Sequence, residues 1–298
     1  MKIVIIGSKG FIGSHCLAYF RSQADIEAWG CDVVTDYVDS NYFLIDATNA
    51  DYREVFRDQG FEVCINCSGA ASVPQSLEHP LRDYTLNTNN VFRMLEAIRQ
   101  FSPHCRFINL SSAAVYGNPL WLPITEDVPV RPLSPYGWHK QYSEQICQEF
   151  HDSFSLRTCC LRIFSAYGPG LRKQFFWDLH TKAQRNQKVE LWGTGQQTRD
   201  FIYIDDLIQV IALVIKQGEF AGTIYNVANG EEVSIGEAAS VFMEHYPVQA
   251  DLKFSGYERP GDPLRWCADI RKIKAMGYHQ QVSLTEGLKR YVQWLEEK

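Results

Sequence analysis

Ile3-Val4-Ile5-Ile6-Gly7-Ser8-Lys9-Gly10-Phe11-Ile12-Gly13 reads as a buried strand running into a glycine-punctuated turn and then a helix. A short run of β-branched apolar residues suits a strand covered on both faces. Gly7 permits the tight turn, Gly10 lets backbone approach a ligand closely, and Gly13 lets the helix sit against the strand. The helix points its free N–H groups and positive dipole end at whatever fills the turn, which suits a pyrophosphate. One or two glycines at such a junction carry little; three at this spacing, directly after a strand, point to a nucleotide. Gly7, Gly10, Phe11, Ile12 and Gly13 are therefore the first candidate cofactor contacts.

A second strand is predicted over 28–33, with Asp32 near its carboxyl end. An acid about 20 residues beyond the glycines meets the adenosine ribose in such folds. A carboxylate there accepts hydrogen bonds from both ribose hydroxyls and repels a 2′-phosphate. No Arg or Lys follows until Arg53. The reading is NAD rather than NADP; the competing one is an ordinary surface Asp at a strand end.

Composition bounds the rest. The 298 residues are 45% hydrophobic and 21% charged, enough for a large core. A net charge of −6 without a basic run speaks against nucleic acid as a partner. No apolar run reaches membrane-spanning length, so no membrane partner is expected. Met1 leads directly into the first strand, which leaves no room for a signal peptide. Nine scattered cysteines without a framework read as reduced thiols of a cytoplasmic protein. Cys64 and Cys67 have the spacing of a zinc half-site, but no second pair lies near them, and no metal is expected.

Strand and helix signals alternate through the first half, with strands at 2–6, 28–33, 42–44, 63–66, 106–111 and 156–163. The long helix at 81–101 is read as one piece, with an apolar face of Leu86, Val91, Met94, Leu95 and Ile98. This alternation predicts an α/β fold: a doubly wound parallel Rossmann sheet with a smaller C-terminal substrate-binding lid. Residues 1–167, with segments near 201–228 returning to the sheet, would form the dinucleotide domain; 168–200 and 229–298 would form the lid. Ser283 with Glu286 three residues on marks the start of a C-terminal helix.

Tyr136 and Lys140 stand four apart at the start of a helix, on one face. A free tyrosine titrates near 10, and an ammonium one turn away would favour its phenolate. Such a tyrosine can take a proton from a hydroxyl. This spacing is also common on solvated helices. The strand at 106–111 spills Ser111 and Ser112 at its carboxyl end, where Ser112 can hold a reacting oxygen or simply start a loop.

Together these pieces resemble the extended short-chain dehydrogenase/reductase family, in its nucleotide-sugar epimerase and dehydratase branch. The matching stretches are 7–13, 111–117, 134–140, 161–170, 199–206 and 259–262, which run in order along nearly the whole chain. The resemblance implies that Ser112, Tyr136 and Lys140 are the catalytic set, with Lys140 also on the nicotinamide ribose. It places Asp46 and Ala47 near the adenine, Cys67, Ser68 and Gly69 in the dinucleotide cleft, and Asn87 beside the cofactor. It makes Arg199 and Arg259 the clamp on a substrate diphosphate, a role suited to guanidinium donor pairs. Arg199 could instead pair with its neighbour Asp200. Trp192 aligns with an aromatic near the nucleobase, although a tryptophan in a strand is more often core.

Two positions depart from the family pattern. Dehydratases of the family carry an Asp-Glu pair where this chain has Ala113 and Ala114, and alanine can neither protonate a leaving hydroxyl nor remove a proton. Ser165 stands where many members use asparagine toward the substrate phosphate. The resemblance then implies a nucleotide-sugar 4-epimerase, UDP-hexose preferred, in a homodimer paired through the helices at 81–101 and 136–153. A 4-ketoreductase is the alternative, and a non-catalytic dinucleotide sensor the more distant one.

Overall fold

The β-branched runs near the N-terminus set the architecture. In a computed structural model, which describes residues 1–185, 188–248, 250–257 and 261–297, they become the middle of a seven-stranded sheet. The chain forms β1 (Lys2–Ile6), α1 (Phe11–Arg21), β2 (Glu27–Asp32), β3 (Tyr42–Leu44), α2 (Arg53–Phe56), β4 (Val63–Asn66), α3 (Val73–Glu78) and α4 (Pro80–Tyr84). A π-helical turn at Thr85–Asn89 joins α4 to α5 (Asn90–Phe101), followed by β5 (Arg106–Ser112), α6 (Pro135–Phe154) and β6 (Thr158–Ile163). The second half contains β7 (Ser165–Tyr167), α7 (Gln174–Arg185), β8 (Lys188–Leu191), β9 (Thr198–Arg199), β10 (Phe201–Tyr203) and α8 (Ile204–Gln217). It ends with β11 (Ala221–Val227), β12 (Val233–Ser234), α9 (Ile235–His245), β13 (Asp251–Phe254), α10 (Arg271–Ala275) and α11 (Leu284–Glu296).

The central sheet has the order β11-β6-β5-β4-β1-β2-β3 and every pair is parallel. The order reverses between β1 and β4, so a crevice opens at their carboxyl ends. Alternation along each strand feeds two cores. Ile3, Ile5, Ile65, Ile108 and Leu161 face Leu17 and Phe20 of α1 and Ile208 and Ile211 of α8. Val4, Ile6, Cys64, Phe107 and Cys160 face Met94, Leu95 and Ile98 of α5 and Cys147 and Phe150 of α6. Fully burying each large side chain contributes about 1.5–3 kcal/mol, which explains why both sheet faces are covered. No helix among the described residues is long and apolar enough to cross a membrane.

Two expectations need correction. Of the segments expected to return to the sheet, only β11 does, pairing with β6 from Ala221 to Val227. That pairing fills the free edge, and β10 pairs instead with β7 in a separate two-stranded sheet. The helix read as one piece over 81–101 is interrupted by the π turn. Its buried residues before Val91 are Asp83, Asn87, Thr88 and Asn90, whereas Leu86 is only half-buried. The extra residue in the turn rotates polar side chains inward, a distortion that concentrates at functional sites.

The second half is tied to the sheet by a carboxylate. Asp200, fully buried, accepts from the backbone amides of Asn229 (2.9 Å), Gly230 (3.0 Å) and Ala268 (3.0 Å). Burial pushes it up to about 7 against the pull of those amides. An amide left without an acceptor in the interior costs about 1–3 kcal/mol. Asp200→Ala is therefore expected to lower unfolding stability by about 3 kcal/mol or more in urea denaturation; a loss under about 1 kcal/mol would refute the anchor.

Candidate active site

The glycine turn has the geometry its sequence demands. Gly7 lies at φ +80°, and a Cβ there would stand 2.7 Å from the Ser68 amide nitrogen. At Gly13 a Cβ would be 2.0 Å from the Gly7 carbonyl oxygen, so only glycine lets α1 start this close to β1. Gly10 caps α1, with Phe11 and Ile12 in its first turn. Asp32, at the end of β2, accepts from the Lys9 amide (2.8 Å) and from Val33 N (2.7 Å), which ties the glycine turn to the second strand. Asp46 is exposed just beyond β3 and accepts from Thr48 N (2.6 Å) and Asn49 N (3.1 Å), with Ala47 at the bend.

The other wall of the crevice is the end of β4. Asn66 accepts from the Ser68 amide (3.1 Å) and hydroxyl (2.6 Å) and donates to Asn109 Oδ1 (3.0 Å). Asn109 donates in turn to Ser143 Oγ (3.0 Å) on α6, and Ser143 donates to the Lys140 carbonyl (2.7 Å). This buried chain fixes the turn at Cys67, Ser68 and Gly69 relative to the helix that carries Tyr136 and Lys140. Sequence reasoning missed Asn66, Asn109 and Ser143; asparagines inside otherwise apolar strands were the available signal.

Ser112, Tyr136 and Lys140 come together. Ser134 caps α6 by accepting from the Gly137 amide (3.3 Å), and Pro135 occupies its first turn. A Cβ at Gly137 would lie 2.7 Å from the Ala114 carbonyl oxygen, so glycine lets α6 dock on the turn after β5. Ser112, whose hydroxyl accepts from the Ala114 amide (3.1 Å), lies close enough to act on the Tyr136 phenol. Burial pushes Tyr136 up to about 12, with Ser112 pulling it down and Asp83 pushing further up. The ammonium of Lys140 donates to the Leu110 carbonyl (2.8 Å), not to Tyr136. The expected help from lysine to phenolate is therefore absent from the protein's own contacts, because the buried amine takes a backbone acceptor at the end of β5. Burial lowers Lys140 to about 8, against Asp83, which raises it.

Asp83 is the residue the sequence did not flag. It is 3% exposed, pairs with His139 Nδ1 at 2.6 Å, and leaves its second oxygen without a partner. Asn87, on the same strip, is 1% exposed, with both side-chain amide atoms unpaired. A Cβ on Gly69 would be 2.4 Å from Asn87 Oδ1 and 3.5 Å from Lys140 Nζ. The close approach at Gly69, the orphaned amide of Asn87 and the glycine turn opposite fit a dinucleotide across the crevice. Among the described residues, no group of three or more His, Cys, Asp or Glu side chains could hold a metal ion. All nine cysteines are free thiols.

Arg199 does not pair with Asp200. Its guanidinium donates to the Thr198 carbonyl (2.8 Å) and the Pro263 carbonyl (2.8 Å) and lies over the Trp266 ring. Desolvation lowers it to about 10, with Asp262 acting in the other direction, so it stays charged at neutral pH. Trp192 is half-exposed rather than core. Ser165 lies on β7, and its amide bonds the Asp200 carbonyl at 2.9 Å. Arg259 lies outside the described residues. Ala113 is fully buried in the core and Ala114 packs against it.

With this geometry in hand, the comparisons are decisive at one level. The profile of the NAD dependent epimerase/dehydratase family matches residues 3–228. The chain belongs to that family. It is 27% identical to a crystallised UDP-glucuronic acid 4-epimerase from Bacillus cereus in complex with UDP-glucuronic acid and NAD, with a TM-score of 0.90 over 100% of this chain and 99% of that one. It is 26% identical over 277 residues to a UDP-glucuronate 4-epimerase of Thermodesulfobacterium geofontis, covering 91% of this chain and 84% of the relative. A dTDP-glucose 4,6-dehydratase from Streptomyces venezuelae superposes with a TM-score of 0.88 at 24% identity over 100% and 98% of the two chains, a likeness that bears on the fold alone.

Burying Lys140 has a measurable cost. The drop from 10.5 to about 8 corresponds to on the order of 3 kcal/mol. The depressed value means the native state binds fewer protons than the unfolded state between about 8 and 10.5. The penalty is thus complete at neutral pH and fades as pH rises through that window. Lys140→Met is expected to stabilise the protein at pH 7, with the gain shrinking toward pH 10. Thermal unfolding in which Lys140→Met destabilises at pH 7 would refute this account.

Proposed function

We propose that this chain is a nucleotide-sugar 4-epimerase, with a UDP-hexose as its preferred substrate. The observation that carries the reading is the convergence of Ser112, Tyr136 and Lys140 at the cofactor crevice, with alanines at 113 and 114. Bound NAD would supply a hydride acceptor and donor, and a positive ring beside the phenol. Gly7, Gly10, Gly13, Asp32, Cys67, Ser68, Gly69 and Asn87 would hold it, with Asp46 and Ala47 at the adenine end.

Tyr136, as phenolate, takes the C4 hydroxyl proton and becomes the phenol, while Ser112 holds the oxygen. Lys140 keeps a cation beside the pair and bonds the ribose. With the C4 hydride taken up by the acceptor, the keto-sugar would turn over on its diphosphate, held by Arg199 and Arg259, so that the hydride comes back to the opposite face of C4 while Tyr136 returns the proton to the C4 oxygen. Trp192 and Ser165 line the substrate side. The half-exposed indole and the desolvated guanidinium support this assignment. The UDP-sugar 4-epimerases among the relatives support the choice of nucleotide.

The 4-ketoreductase alternative uses the same residues and is favoured only by net consumption of reduced cofactor. Incubation with UDP-, GDP-, dTDP- and CDP-hexoses, read by chromatography, is expected to give the C4 epimer with no net change in NADH absorbance. Stoichiometric cofactor consumption would establish the reductase, and bound dinucleotide without turnover would establish the sensor. Tyr136→Phe is expected to abolish turnover while NAD still binds.

Dehydration is disfavoured by more than the two alanines. Glu126, an acid on the neighbouring loop, is committed to the Asn226 amide (3.0 Å) and faces Lys272 at 3.9 Å. Mass spectrometry is expected to find no product lighter by one water from any of these hexoses, and finding one would withdraw the epimerase assignment.

Homodimerisation belongs to the same proposal. Leu77, Leu81, Tyr84, Phe92, Trp138 and Tyr142 are exposed on α3, α4, α5 and α6, an apolar surface suited to an isologous helical interface. Sedimentation showing only monomer at micromolar concentration would refute it.

A further inference from the structure

Lys9 is the one basic residue of the glycine turn, and its charge is already engaged. Its amide donates to Asp32 Oδ2 (2.8 Å), while its ammonium ion-pairs with Asp36 and lies 5.1 Å from the centroid of the Tyr42 ring. Asp36 is held in place by the loop it sits on. Its Oδ1 accepts from Val38 N (3.0 Å) and Asp39 N (3.1 Å). The Lys9 bond and those amides hold its carboxyl down to about 2, so it is ionised at any working pH. The loop after β2 is pinned again by Arg21, which donates to Asp39 Oδ2 at 2.6 Å, and by Tyr42, whose hydroxyl donates to the Val34 carbonyl. Lys9 and Arg21 thus each have their own carboxylate on this loop, Asp36 and Asp39, with Asp32 and Asp46 as further acids at this end of the crevice.

We propose that Asp36 is a second cofactor-specificity residue: by pairing with Lys9 it withholds from a 2′-phosphate the only cation of the glycine turn. This rests on the reading of Asp32 as the ribose carboxylate. Asp32 acts directly, by repelling the phosphate. Asp36 acts through Lys9, whose ammonium is a natural point-charge partner for phosphate once released. The pair is partly exposed, so its contribution to stability is small. What it controls is the local charge, which changes by one unit when Asp36 is neutralised.

Calorimetric titration at low ionic strength with NAD and with NADP tests this. Asp36→Asn is expected to tighten NADP by about tenfold while NAD stays within about threefold, and 0.5 M salt should erase most of the gain. Adding Lys9→Met to Asp36→Asn is expected to return NADP to the parent affinity. Unchanged NADP affinity in Asp36→Asn, or a gain that survives Lys9→Met, overturns the proposal. Unchanged NAD affinity in Asp32→Asn overturns the ribose reading beneath it. Retained NAD binding in Asp36→Asn shows that the variant is folded, so a null result there counts against Asp36 itself.

Discussion

Much of this site follows from the cost of keeping one lysine ammonium out of water. Lys140 is 6% exposed and has a single protein acceptor, the carbonyl of Leu110. A buried cation without compensation loses its proton or its place. The surroundings supply the compensation: the end of β5 offers its carbonyl, Asp83 its charge, and the chain from Asn66 through Asn109 to Ser143 holds the lysine's own backbone. Each of those groups is buried and polar, and most would be a liability in a protein selected for stability alone. Asp83 and Asn87 come to the crevice from α4 and the π turn that follows it.

The same reasoning separates what the sequence made legible from what it hid. The parallel sheet was legible because β-branched runs alternate with helical spacing, and because strain at Gly7 and Gly13 admits one residue type. Tyr136, Lys140 and Ser112 were legible through spacing and family resemblance. The polar chain beneath them was not, since Asn66 and Asn109 sit in strands whose neighbours all look like core. The π turn was hidden for a related reason: Leu86 and the apolar positions after it continue an unbroken helical pattern, and nothing local announces one extra residue. Arg199 shows a different limit. Its neighbour Asp200 was the obvious partner in sequence, but alternation on an extended segment sends the two side chains to opposite sides. One reaches the amides of Asn229, Gly230 and Ala268, the other the carbonyls of Thr198 and Pro263.

Asp200 and the glycine turn also explain why the two halves of the chain work as one unit. The sheet supplies a rigid crevice between β1 and β4. The second half joins that sheet through β11, which pairs with β6, while β9 with β12 and β8 with β13 form short pairs outside it. Asp200, buried, accepts from the amides of Asn229 and Gly230, just after β11, and of Ala268, which holds these segments of the second half to the end of that strand. Arg162 bonds Glu144 on α6, the Tyr116 hydroxyl and the Glu126 carbonyl at 2.8, 2.9 and 3.0 Å, and Tyr116 donates on to Asn226 Oδ1 of β11 at 2.7 Å. Arg199 and Tyr136 belong to different halves, so their separation depends on how the halves are joined.

The Arg162 network bears on the kind of chemistry available as well. An elimination needs an acid that can move to the departing oxygen, and movement needs a side chain whose present bonds are weak. Glu144 is held by two guanidinium bonds and by Ser111 at 2.5 Å, and Glu126 by the amide of Asn226. Releasing either would strand a buried arginine or a buried amide, a cost of several kcal/mol. Tyr136 lies beside Ser112 at the crevice and holds no buried arginine or amide in place. A single proton-transferring residue, working on one oxygen in both directions, is the chemistry of a reversible oxidation at one carbon.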